Sequence, residues 1–383
     1  MKSIRWMTVL VVFLIVAQAA QADWSTVRRI TWTAGDSYSP ALVVDSSGYL
    51  HAVWYDHTPG NNEIYYKKST NGGASWSPNQ RLTYTSGSSY DPDIAVDSLG
   101  GVHVVWYDYT PGNGEIYYRG STDGGTSWSP SQRLTWTPVA TELPAIAVDG
   151  VDRIHLIWDD YTPGKSDLYY KRSLTGGATW AATQRLTWTS GISSYVSIAC
   201  SPAGHLHVVW SDNTSGSPEI YYMEGQSGGA TWSSPRRLTW NSGISSSPAL
   251  AAHSSGLIHV VWWDTTPGLA EIYYKNSPDG GATWTSARRL TWTSGGSYSP
   301  VIKLGFSKQL HLVWDDLADS NQEIFYKKST DEGATWGPTQ RRTWNSGWSS
   351  TPAVAFDSSG YLHVIWSDDT PGGNAEIYYV KGK

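Results

Sequence analysis

The chain has 383 residues, a formal net charge of −6, 38 Gly, 24 Tyr, 23 Trp and one Cys, with only 16% charged residues. This acidic balance argues against nucleic acid and anionic membrane as partners, and the lone Cys200 excludes an internal disulfide framework. Abundant glycine and aromatics without helical periodicity point to short strands and tight turns, an all-β protein.

Residues 1–22 read as a secretory signal, with Lys2 and Arg5 basic, Met7 to Ala17 apolar but too short to span a bilayer, and Ala20-Gln21-Ala22 a small-residue cleavage site. The mature chain is expected to begin near Asp23, to be secreted or periplasmic, to have no membrane insertion and to be a monomer. Residues 23–383 are then a single domain. They repeat every 52 residues, with Arg at Arg29, Arg81, Arg133, Arg185, Arg237, Arg289 and Arg341. His51, His103, His155, His207, His259, His311 and His363 keep the same step, as does the Trp three residues after each. A further Trp recurs from Trp24 through Trp76 to Trp336. A fixed period of this length marks an array of identical supersecondary units.

Within the unit from Arg81 to Gln132, strand signals run from Pro92 to Asp97 (strand A), Val102 to Asp108 (B), Glu115 to Arg119 (C) and Gln132 to Trp136 (D). The segments between them, SLGG, YTPGNG and STDGGTSW, supply turn residues. Each unit is therefore a four-stranded antiparallel meander. One meander cannot cover both of its faces, whereas seven arranged radially cover one another, which predicts a seven-bladed β-propeller. The last unit lacks strand D, and the segment from Trp24 to Trp32 has the phase of a lone strand D, so an N-terminal strand is expected to complete the last blade and close the ring.

The turn between strands C and D carries a resemblance. STDGGTSW (121–128), SPDGGATW (277–284) and STDEGATW (329–336) resemble the Asp-box, or BNR repeat, of sialidase-like propellers. Asn71 and Thr175 replace the Asp in two other copies, and GQSGGATW (225–232) lacks both the Ser and the Asp. The resemblance implies a folding role for Asp123, Trp128, Asp279, Trp284, Asp331 and Trp336, with the carboxylate closing the hairpin and the Trp packing into the blade. It also implies that substrate sits on the opposite face, formed by loops such as TWTAGDSYSP (31–40) and YDHTPGNNE (55–63).

Strand B ends in an Asp in every unit, from Asp56 and Asp108 to Asp264 and Asp368, and strand C begins with an acid, from Glu63 to Glu376. Such a ring of carboxylates has the hard oxygens that Ca²⁺ prefers. The alternative reading pairs Glu63 and its equivalents with the recurring Arg and lets the Asp cap the B–C hairpin. No other metal or cofactor is indicated. The repeated His is read as a buried structural imidazole. Twenty of the 23 Trp fall in three repeat phases and are read as blade core, which leaves Trp6, Trp263 and Trp348.

The candidate ligand-binding residues are Tyr55, Asp56, Tyr107, Asp108, Tyr109, Tyr161, Trp263, Asp264 and Trp348. Tyr38, Tyr90, Tyr195 and Tyr298 lie in the same loops. Aromatic faces beside carboxylates and amides suit sugars, so a glycan or polysaccharide is the expected partner, with a protein partner as the alternative. The residue between the strand-B Trp and Asp is Tyr55, Tyr107, Asp159, Ser211, Trp263, Asp315 or Ser367 in successive units. It is read as an outward loop position free of packing demands, tuned blade by blade.

The resemblance also implies what a sialidase would need: an Arg cluster, a Tyr–Glu nucleophile pair and an acid/base Asp. No Arg falls in a B–C or D–A loop, Lys165 is the clear cation there, and no FRIP-type motif is present. No catalytic residue is therefore assigned. The sequence favours a multivalent, lectin-like scaffold. The other reading is a polysaccharide hydrolase or lyase using carboxylates peculiar to one unit, such as Asp91, Asp93 or Glu142.

Overall fold

The computed structural model describes residues 24–201, 204–317, 321–370 and 373–383, so the signal-like segment lies outside the described residues. Blade 1 consists of Ser37–Val44 (A), Leu50–Asp56 (B), Glu63–Ser69 (C) and Gln80–Arg81 (D). The next six blades begin their strand A at Ser89, Thr141, Ser193, Ser245, Ser297 and Ser349. The result is seven antiparallel sheets, each a meander from the inner strand A to the outer strand D.

The last blade takes its outer strand from the other end of the chain. Arg28 and Arg29 pair with Tyr379 and Tyr378, the Ile30 amide donates to the Ile377 carbonyl at 2.8 Å, and Arg29 forms an ion pair with Glu376. The fold is thus the closed seven-bladed propeller expected from the phase of Trp24 and Arg29.

The hydrophobic core lies between blades. Strand B alternates, so Val53 faces the next blade while Ala52 and Trp54 face the preceding one. Val53, Ile64, Tyr66 and Leu82 of blade 1 pack on Ile94, Val102, Val104 and Trp106 of blade 2. An equivalent cluster joins blade 7 to blade 1 through Ile365, Ile377 and Tyr379 against Leu50, Ala52 and Trp54. All strand-B Trp residues, from Trp54 to Trp366, are at most 1% exposed.

Two strands differ from expectation. Strand A starts earlier, at Ser89 and not Pro92, because a bulge lets pairing continue past the proline. Strand D is two residues long. Beyond Arg133 the Thr135 hydroxyl, in place of a backbone carbonyl, accepts from the Ile116 amide at 2.8 Å and ends the ladder.

Blades are also joined by a polar chain. His51 Nδ1 lies 2.7 Å from the Tyr66 hydroxyl, and that hydroxyl contacts the Gly124 carbonyl of the next blade at 3.4 Å. The contact recurs from His103–Tyr118 to His363–Tyr379. In blades 1, 2, 3 and 7 the second imidazole nitrogen meets Asp45, Asp97, Asp149 or Asp357 at 3.0 to 3.2 Å. Ser201, His253 and Gly305 occupy that place in blades 4 to 6. There burial pushes His207 and His259 down to about 4 and His311 to about 3.

In the C–D turn of blade 2, Asp123 Oδ1 accepts from the Thr126 and Ser127 amides at 3.0 and 2.8 Å. Trp128 meets Tyr66 of the preceding blade edge to face, with centroids 5.0 Å apart. Asn71 and Thr175 accept the equivalent amide at 2.9 Å. In blade 4, where both polar residues are missing, Thr231–Trp232 pairs with strand C as an extra strand.

The second glycine of this turn sits under the tyrosine. A Cβ on Gly125 would lie 1.9 Å from the Tyr66 hydroxyl, and its φ is +85°. At Gly124, with φ +65°, the nearest atom is the flexible Lys68 Nζ at 3.0 Å. Gly125→Ala is expected to lower stability by at least about 3 kcal/mol and Gly124→Ala by about 1 kcal/mol, measured by chemical denaturation. Equal effects would refute the tyrosine contact. Deleting residues 24–32 exposes the Glu376–Gly382 edge and is expected to lower the melting temperature sharply.

Candidate functional site

The face bearing the B–C and D–A loops is organised by the bulge in each strand A. In blade 1 Tyr38 pairs with Tyr55 but Ala41 pairs with Val53, so Ser39 and Pro40 together oppose Trp54. Ser39, Asp91, Leu143, Tyr195, Ser247, Ser299 and Thr351 all have φ between +41° and +57°. A backbone state this sparsely populated persists only when its surroundings fix it. Here the next residue, a proline in all but blade 4, needs no hydrogen-bond partner in the ladder. Together these residues line the mouth of an axial channel of about 500 Å³. The proline repeating every 52 residues was the sequence signal for this ring.

On blades 1 to 3 the channel mouth carries a cluster that the other blades lack. Tyr38 and Tyr55 are 6.0 Å apart, Tyr55 meets Tyr90 edge to face at 5.3 Å, and Tyr90 stacks on Tyr107 at 5.5 Å. Tyr109 contacts both Tyr90 and Tyr107, and its hydroxyl donates to Glu142 of blade 3 at 2.5 Å. The Tyr107 hydroxyl reaches Asp91 at 3.4 Å. Burial, reinforced by Asp91, pushes the Tyr55 phenol up to about 12 and also raises Tyr107. Burial raises Asp91 too, and Glu142 adds to the shift. These tyrosines therefore stay neutral and act as hydrogen-bond donors and apolar surfaces.

Tyr161 is within electrostatic reach of Asp159, Glu142 and Tyr195, so it extends the cluster toward blade 4. Trp263 lies elsewhere, against Tyr298 at 5.7 Å. Trp348 lies on the loop entering blade 7, 52% exposed, with its backbone amide and carbonyl bonded to Asp369.

Several expectations need correction. Asp56, Asp108 and Asp264 are at most 1% exposed and do not face a ligand. Asp56 accepts from Ser37 Oγ at 2.7 Å and from the Thr58 amide at 2.8 Å, and thereby caps the B–C turn. The strand-C acids, by contrast, follow the ion-pair reading of the sequence, being equally buried and paired with the repeated Arg, as in Glu63–Arg81 at 2.7 Å and Glu115–Arg133 at 2.9 Å. Among the described residues no group of three or more His, Cys, Asp or Glu is placed to hold a metal.

The position held by Tyr55 and its equivalents faces the next blade, not solvent, because it shares the side of strand B that carries Val53. Ser194 of blade 4 donates to Asp159 at 2.5 Å, Ser211 donates to the Ser245 carbonyl at 3.1 Å, and Asp315 accepts from the Thr351 amide at 3.3 Å. Complete burial pushes Asp159 up to about 8 and near-complete burial pushes Asp315 to about 6.

The third Trp phase is not core. Trp32, Trp136, Trp188, Trp240, Trp292 and Trp344, with Tyr84 in blade 1, are 67% to 75% exposed. Strand D ends three residues earlier, so its alternation no longer turns them inward.

One channel residue was missed, Lys303, which like the expected Asp93 stands on strand A where most blades have small apolar residues. Asp93 accepts from the Ile94 and Ile146 amides, both at 2.9 Å. Burial lowers the Lys303 ammonium, and the Asp93 charge opposes that shift. Lys165, the expected loop cation, donates to the Ser190 carbonyl.

The profile of the BNR repeat-containing family matches residues 141–383. The chain belongs to that family. Among solved structures, this BNR propeller is similar to a polysaccharide lyase of family PL25, an ulvan lyase, with a TM-score of 0.67 at 12% identity over 91% of this chain and 95% of that one. It is also similar to a Dyadobacter fermentans protein of unknown function, with a TM-score of 0.58 at 12% identity over 93% and 99%. The NanB sialidase of Streptococcus pneumoniae follows the same fold, with a TM-score of 0.51 at 12% identity over 93% and 70%. At such identities the likeness is one of fold. No curated protein matches the sequence.

The Asp159 carboxyl gives a pH test of this geometry. Its folded value near 8 lies above the ordinary 3.8, so the folded state binds the proton more tightly and the group opposes folding increasingly as pH rises from about 4 to 8. Asp159→Asn removes that effect. Its melting temperature relative to the parent is expected to rise across this window and level off above pH 8, read by thermal unfolding. A difference that does not change with pH would refute the buried carboxyl.

Proposed function

We propose that this is an exported carbohydrate-binding propeller whose main site is the tyrosine cluster at the channel mouth of blades 1 to 3. The observation that carries the reading is the run of Tyr38, Tyr55, Tyr90, Tyr107 and Tyr109 in ring contact, bordered by Asp91 and Glu142. Phenol faces pack against the C–H surface of a pyranose, and the two carboxylates accept from its hydroxyls. None of the ring or hydrogen-bond contacts of the cluster involves Arg, so the bidentate clamp that an anionic sugar's carboxylate favours is missing. A neutral glycan is the better fit.

A glycan array probed with the parent and with Tyr90→Ala/Tyr109→Ala tests the proposal. Binding is expected to weaken at least tenfold, roughly 1.4 kcal/mol, with the fold intact by circular dichroism. Unchanged binding to every array ligand would reject the site.

A second reading, a polysaccharide-cleaving enzyme, is favoured by one contact. Tyr109 donates to Glu142 at 2.5 Å beside the mouth that Asp91 lines, and cleavage needs a general acid and a base held together at one site. Release of reducing ends or unsaturated sugars by the parent, lost in Glu142→Gln, would establish it. Retained binding with no product from the parent keeps the binding reading.

A further inference from the structure

We propose that the outer grooves between blades form a second, repeated set of sugar sites, each built on one exposed aromatic ring and suited to a neutral hexopyranose unit of a polysaccharide. This is independent of the tyrosine cluster and shares no residue with it.

The rings are the seven exposed aromatics that follow strand D. Six of the seven pack on the Arg of their own blade, with Arg29, Arg81, Arg133, Arg185, Arg237 and Arg289 carbons 4.4 to 5.8 Å from the ring centroids, and Trp32, Trp136, Trp240 and Trp292 also lie 5.6 to 5.9 Å from a Lys of the next blade. Those contacts cover a minor part of the residue. About two thirds of each side chain remains turned to solvent, far more than shielding the Arg–Glu pair requires.

The repeat itself is informative. Five residues earlier stands another exposed position, and the seven blades fill it with Val27, Asn79, Ser131, Thr183, Pro235, Ala287 and Thr339. That exposed position has changed from copy to copy, whereas the exposed positions that recur, such as Thr58 and Pro59, belong to the B–C turn. The ring position has stayed aromatic in all seven although no core demands it.

The surroundings select the occupant. Below Trp240 lies a groove of about 330 Å³ lined by Asn241, Thr266, Tyr273, Lys275 and Ser286. Glu219 is paired with Arg237 at 2.6 Å. Asp264 and Lys275 add one charge of each sign to the lining, and Lys275 is tied to the Leu238 carbonyl at 2.6 Å. The groove is thus neutral overall, lined by Leu238, Trp262 and Ala287 as well as by hydroxyl groups and one amide, and roofed by one ring. A protein interface needs a continuous patch of roughly 800 Å² per partner, whereas these rings are separated by polar blade edges. A polymer with a regular C–H face can meet several of them, and several weak contacts then add through avidity.

Affinity electrophoresis in gels containing laminarin, galactomannan or hydroxyethylcellulose tests the proposal, with alginate as the acidic comparison. The parent is expected to be retarded by at least one neutral polymer and more strongly than by alginate. Trp136→Ala/Trp188→Ala/Trp240→Ala/Trp292→Ala should weaken that retardation at least tenfold with an unchanged melting temperature. The same four sites changed to Tyr, the residue that blade 1 already carries, should keep most of it. Tyr90→Ala/Tyr109→Ala should leave it in place, which separates these sites from the channel mouth. Retardation by none of the neutral polymers, stronger retardation by alginate, or equal retardation of the alanine variant would overturn the inference.

Discussion

The contact on which the ring depends is the tyrosine in the middle of strand C. Tyr66 touches His51 in its own blade, packs edge to face on Trp128, and lies over the Gly125 backbone of the next. One side chain thus joins the hydrogen-bonded interior of a blade to the turn of its neighbour. All seven blades share this joint, because the alternation of strand C turns Tyr66 toward the next blade while Tyr65 packs on Trp54. The two glycines of the Asp-box then have different reasons to exist. The first allows the turn, and the second leaves room for the hydroxyl.

The acidic rim follows from the same economy of polar groups. Fourteen repeated carboxylates are too many to leave unpaired beside a hydrophobic core, since each buried charge needs a partner. Most strand-B Asp residues accept from a side chain at the start of strand A and from a turn amide, and every strand-C acid takes an Arg, most of them with a loop amide as well, as Glu63 does from Thr85 at 2.9 Å. Their negative charge is used within the blade. What remains for a ligand are residues outside this scheme, and those are concentrated on blades 1 to 3.

Blade number, strand B and the closure were legible because all three are phase relations in the sequence, and a period of 52 residues is hard to mistake. The bulge was not. Pro40 and its equivalents look like the first residue of a strand, so the two paired residues and the bulged one before each were assigned to a loop. The variable position at Tyr55 was misread because variation resembles exposure. In the structure several of these changes are answered in the next blade, Asp159 by Ser194 and Tyr55 by Tyr90, and a pairing across two repeats leaves no trace in a single repeat. The exposed Trp ring was hidden for a related reason. Periodicity fixes which residues are equivalent, but a strand that stops after Arg133 no longer says which way Trp136 points.

The distribution of the histidine partners divides the ring into two arcs. Blades 7, 1, 2 and 3 give the second imidazole nitrogen a carboxylate, and blades 4, 5 and 6 do not. When protons are forced on the molecule, the first arc gains an ion pair inside each blade, while the second acquires buried cations that no carboxylate bonds directly, Glu224 and Glu332 acting on His207 and His259 only from a distance. The strand-exchanged seam and the tyrosine cluster both belong to the first arc. Acid would therefore breach the propeller on the side away from its own ends, and the non-covalent seam would outlast a stretch of continuous chain.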